Sequence, residues 1–151
     1  MSFWDGTPFG NDAAADFADE LDEATPEQRV AMVGELLART ASATDADIAA
    51  CPVGEVGVID ASRTVAAAAL VAAQREGGEP IHGSYGPTTA MPPFPRSFTG
   101  LAADALDRIT ATQAWHDSDW SDPQNAPAWR QTVLSLRNVL DPPQRETLFD
   151  L

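Results

Sequence analysis

The chain has 151 residues, 44% of them apolar and 21% charged, and 23 acids against 9 bases give a net charge of −14. That length suits one domain able to bury roughly 70% of the surface its unfolded chain exposes, and that balance of apolar and charged residues excludes wholesale disorder. Every base is arginine and lysine is absent, so the surface field repels nucleic-acid phosphates and attracts cationic partners, although acidity of this kind also serves solubility alone.

The opening MSFWDGTPFGND sets Phe3, Trp4 and Phe9 ahead of the first helix. Trp4 and Phe9 read as apolar plugs folded back over the core, with Gly6 and Pro8 shaping the return. Asn11 can cap a first helix running to about Ala24, with Asp12 in its first turn. Ala13, Phe17, Leu21 and Ala24 share one face of it, while Asp16, Asp19, Glu20, Asp22 and Glu23 crowd the remainder.

Thr25-Pro26-Glu27-Gln28 is a compact start for a second helix, with threonine as the cap, proline in the first turn and glutamine completing a capping box. Val30, Val33, Leu36 and Leu37 supply its apolar stripe, to about Arg39 or Thr40. The pattern weakens from Ser42 to Ile59. TDADIAA can make a helical turn after Thr44, and CPVGEVGVID reads as loop with a short strand near Val56 to Ile59. Asp60 or Ser62 then caps a third helix to about Glu76, stopped by Gly77 and Gly78. Its middle, VAAAALVAA, is apolar nearly all round, which predicts the most buried position.

Residues 77–98 carry the glycines and prolines of a long loop. Ile81, Tyr85, Met91, Phe94 and Phe98 predict that it lies across the bundle. A fourth helix follows a Thr99 cap, with Leu101, Ala105, Leu106 and Ile109 inward, and ends near Trp115. The last helix starts between Asn125 and Pro127 and runs to Leu140, with Trp129, Val133, Leu136 and Leu140 as its stripe. The expected fold is a single all-α bundle of about five helices over residues 1–151.

The lone Cys51 leaves no internal disulfide framework. The start carries Asp5 in place of a basic leader, and no apolar run approaches the ~20 residues of a membrane span. A cytoplasmic protein without membrane association is the expectation.

Trp4, Gly6, Phe9, Asn11, Asp12, Ala14 and Asp16 together resemble the opening of the bacterial family known as domain of unknown function 4259. The similarity extends through the alanine helix Ala66 to Ala73, the loop with Pro80, the segment Leu106 to Ile109 and the Trp129 helix. The chain departs from the family pattern at Ser2 and Asp5, where glycine is expected, and at Gly10, where an acid is expected. It also has Ala69 or Leu70 where many members carry a glutamate. The resemblance implies fold and boundaries, and no established activity.

Dedicated chemistry finds little support in the motifs. Asp12 and Asp16 share a helix face, and His116, Asp117 and Asp119 gather in one turn, but neither set has HExxH or calcium-loop spacing. Ser84 in GSYG lacks the GxSxG elbow, and without lysine there is no P-loop. Neither catalysis nor a cofactor is expected; a small enzyme or metal protein built on the His116 or Asp12 region is the alternative, and a stand-alone structural domain is another. The leading expectation rests on charge. Asp5, Asp12, Asp16, Asp19, Glu20, Asp22 and Glu23 are seven acids, with no base, within the first 24 residues. They suit a domain that binds a basic protein, as an immunity protein or antitoxin covers a toxin's cationic cleft. Asp12, Asp16, Asp19, Glu20, Asp22 and Glu23 would form that face, with His82 and Tyr85 of the long loop contributing contacts.

Overall fold

The computed structural model describes residues 8–10, 12–44, 46, 61–78, 81, 86–111 and 126–141, and of Asp12, Ala61 and residues 126–129 the backbone alone. Within them lie five helices of more than one turn: α1 (Asp12–Glu23), α2 (Pro26–Ala41), α3 (Ala61–Ala72), α4 (Ser97–Thr110) and α5 (Ala126–Leu140). No strand occurs among the described residues. The sequence-based strand near residues 56–59 and the Asn11 cap fall outside them.

The capping box at α2 forms as its sequence predicts. The Gln28 backbone N–H donates to Thr25 Oγ1 at 3.2 Å, and the Thr25 N–H donates back to Gln28 Oε1 at 2.9 Å. Two donors that a helix start would otherwise leave unmatched are satisfied in this way, and Pro26 follows where a missing N–H costs nothing. At the entry to α2, Arg29 is buried, and its Nε donates to the Leu21 carbonyl at 2.8 Å. A cation thus meets the negative end of α1 and ties the two helices together.

The buried stripe of α1 is Ala14, Phe17, Ala18 and Leu21, slightly rotated from the predicted Ala13, Phe17, Leu21 and Ala24. In α3, Ser62 and every residue from Thr64 to Ala72 are buried, and α3 packs against all four other helices. Its alanines let the neighbours approach closely, which makes it the axis of the bundle. Where α2 faces α3, the Thr40 and Thr64 hydroxyls, both fully buried, share a hydrogen bond of 2.8 Å. Each satisfies a polar group that would otherwise be stranded in the interior. Where α2 meets the start of α4, a Cβ on Gly34 would stand 2.6 Å from Phe98 Cζ, so the glycine makes room for the ring. Ala102, Ala105, Leu106 and Ile109 of α4, with Val133 and Leu140 of α5, complete the core. At the surface, Arg137 of α5 reaches Asp107 of α4 at 2.7 Å and Asp141 at 2.9 Å.

Three predicted helix ends are corrected. First, α3 stops at Ala72, short of Glu76. Beyond it the chain tightens into i→i−3 bonds, Gln74 N–H to Val71 O and Arg75 N–H to Ala72 O. It then turns back at Gly77, whose φ is 84°. At Gly78 a Cβ would fall 1.7 Å from the Ala72 carbonyl oxygen, so the return passes too close to the helix for any side chain. Second, α4 starts at Ser97, after an Arg96 cap position that makes no side-chain bond. The Thr99 hydroxyl, predicted to cap it, accepts instead from Arg75 Nε. Third, α4 ends at Thr110 rather than near Trp115. The Thr110 hydroxyl donates to the Asp107 carbonyl at 3.0 Å and the Ala111 N–H bonds to Arg108 O, closing the last turn.

The described part of the long loop lies across the bundle. Phe94 is buried, and Ile81, Met91 and Phe98 pack against the core. The rings of Phe94 and Phe98 stack with centroids 5.8 Å apart. Phe9, ahead of α1, is 3% exposed and belongs to the same core.

Candidate functional site

The acids of α1 divide by what they do. Asp16, Asp19 and Glu23 are exposed to solvent. Glu20 accepts from Arg63 Nη1 at 2.8 Å while half of its side chain stays exposed. Arg63, on α3, also lies over the ring of the buried Phe17, 6.0 Å from its centroid. Asp22 faces the other way. Its carboxylate accepts from the backbone N–H groups of Thr88 at 3.0 Å and Thr89 at 3.0 Å, and from the Thr88 hydroxyl at 3.1 Å. Asp22 is therefore spent on holding the long loop. The Asp12 side chain, His82, Tyr85, Trp4 and the His116, Asp117 and Asp119 turn lie outside the described residues. Among the described residues, no three His, Cys, Asp or Glu side chains gather as a metal site would require.

Where α1 hands over to α2, the two helices leave an open groove of about 430 Å³. Glu20 and Glu23 line it from α1 and Glu35 from α2, over an apolar floor of Ala24, Ala31 and Met32. From Asp12 to Ala38 the single base is Arg29, and it is buried. The groove therefore pairs a three-carboxylate lining with methylene-compatible surface, an arrangement suited to the stem and head of an arginine or lysine side chain. Glu35 was not legible as a member of this face, because its place depends on how α2 lies against α1. Asp22's loop contact was equally hidden, since its partners are 66 and 67 residues away.

Asp22 also provides a measurable titration. Burial works against its ionisation, but the Thr88 and Thr89 backbone amides and hydroxyls outweigh burial and hold its carboxyl below the usual carboxylate range. A group depressed in the folded state contributes stability that is present above its unfolded value of about 3.9 and is lost as pH falls through the folded value. Thermal unfolding of the wild type between about pH 2.5 and 5, compared with Asp22→Asn, should show an acid-side loss that the variant lacks. Parallel curves would deny the carboxylate this role.

Fold and surface together define an all-α bundle with an acidic face on its first two helices. The chain belongs to the family described as Domain of unknown function (DUF4259), whose model matches residues 2–132. No curated protein and no solved structure matches it. No helix among the described residues is long and apolar enough to cross a membrane.

Proposed function

We propose that this domain binds a basic protein through the acidic face of α1 and α2, in the manner of an immunity protein or antitoxin that covers a cationic cleft. The observation that supports this reading is the groove in which Glu20, Glu23 and Glu35 surround the apolar floor at Met32, with no exposed base between Asp12 and Ala38. Asp16 and Asp19 extend the negative field along α1, where it would accelerate encounter with a positive surface.

Asp19 and Glu23 are the residues to reverse, because both are exposed whereas Glu20 and Asp22 also hold structure. Asp19→Lys combined with Glu23→Lys should leave the unfolding free energy within about 1 kcal/mol of the wild type. It should weaken binding of any basic protein that the wild type recovers stoichiometrically in a pull-down by about tenfold or more, and wild-type binding should itself weaken steeply between low and physiological salt. Calorimetric titration at two salt concentrations measures both. Salt-insensitive binding, or binding indifferent to the double reversal, would reject the acidic face. For the immunity reading, co-expression must also relieve the growth arrest caused by the partner.

A further inference from the structure

Glu20 belongs to two neighbourhoods. Its side chain lines the α1–α2 groove with Glu23 and Glu35, while its Oε2 accepts from Arg63 Nη1 on α3 at 2.8 Å. The Glu23 and Glu35 carboxylates make no hydrogen bond or ion pair among the described residues. The three acids of the groove are therefore unequal: two are free, and the third already holds a guanidinium. The partners in that pair are also unequally anchored. Only 26% of the Arg63 side chain is exposed, and its guanidinium lies over the buried Phe17 ring. The Glu20 side chain is 51% exposed, and its carboxylate has no second partner among the described residues.

We infer, on the footing of the basic-partner reading above, that Arg63 is a built-in competitor for the cation this groove takes. A guanidinium at hydrogen-bond distance offsets the Glu20 charge and repels a second cation brought to the same carboxylate. With the pair closed, the groove offers Glu23 and Glu35 to an arginine or lysine side chain lying on the Met32 floor. A partner whose cations reach Glu20 as well must displace Arg63, which raises the threshold that weakly basic proteins have to meet. The contact can be removed without unfolding the bundle, because exposed ion pairs contribute little to stability and Arg63→Met keeps an unbranched apolar stem beside Phe17.

Fluorescence anisotropy of a labelled hexa-arginine peptide, titrated with the full chain at roughly physiological salt, tests this, because a Debye length of about 8 Å there screens charges remote from the groove. Arg63→Met should tighten binding about threefold or more. Arg137→Met removes the same charge from the α4–α5 surface and should change binding by less than about 1.5-fold. Glu20→Gln should weaken wild-type binding by less than about twofold, yet abolish the gain when combined with Arg63→Met, because Glu20 becomes available only once Arg63 is gone. Net charge alone predicts otherwise: equal gains from the Arg63 and Arg137 changes, and the same Glu20→Gln loss in either background. That outcome would overturn the competitor and leave salt-sensitive binding, and with it the acidic face, in place. Peptide binding that is absent or insensitive to salt in every protein would overturn both.

Discussion

Leu106→Ala is expected to lower the unfolding free energy by about 2–5 kcal/mol. Leu106 is fully buried on α4, the helix that packs against α2, α3 and α5. Truncation there removes apolar contacts and leaves a cavity into which a packed interior relaxes only in part. At this chain length each kcal/mol shifts the melting temperature by about 2–4 °C, so calorimetry should find a fall of roughly 4–20 °C. Leu134→Ala is the control: Leu134 is 45% exposed, and its truncation should cost only about 0.5 kcal/mol. Equal effects at the two positions would mean that the interior is not packed as described.

The opposite insult falls on α3. Ala68→Leu should destabilise by about 1–3 kcal/mol or more, although leucine is nearly as good a helix former as alanine and is far more apolar. Ala68 is fully buried and its neighbours Ala66, Ala67, Ala69, Leu70, Val71 and Ala72 are buried too, so no side of α3 near it opens to solvent. Added methylenes must push a neighbouring helix outward or force strained rotamers. A lower urea midpoint with an unchanged slope would report the loss of stability. A variant as stable as the wild type would place slack around α3 that the structure does not show.

Much of this fold is legible where the information is local. The Thr25 to Gln28 box names its own cap, its proline and its reciprocal glutamine within four residues, and α2 starts as read. The alanine run of α3 announces burial because no polar face interrupts it. The acids of α1 are likewise visible as a set. Legibility fails where distant side chains decide the outcome. Gln74 and Arg75 look like the last turn of a helix, yet their side chains reach the loop at Pro92 to Pro95, and the backbone turns away from helical geometry there. Thr99 looks like a cap and serves Arg75 instead. Alanine blurs the face of α1 as well, because Ala13, Ala14 and Ala18 carry no contrast by which a periodic reading could choose among them.

A helix surfaced mainly with alanine offers its neighbours a smooth cylinder, and smooth cylinders slide. Moving α3 along α2 by one turn, about 5.4 Å, would set alanine against alanine over much of Ala66 to Ala69, and only the buried Val65, Leu70 and Val71 would oppose the shift by their size. It would separate the Thr40 and Thr64 hydroxyls, which lie 2.8 Å apart in the native arrangement, and strand both in an apolar interior. The pair thus acts as a detent: it adds a polar penalty to the packing of Val65, Leu70 and Val71, and together they hold an alanine-rich axis in one axial register.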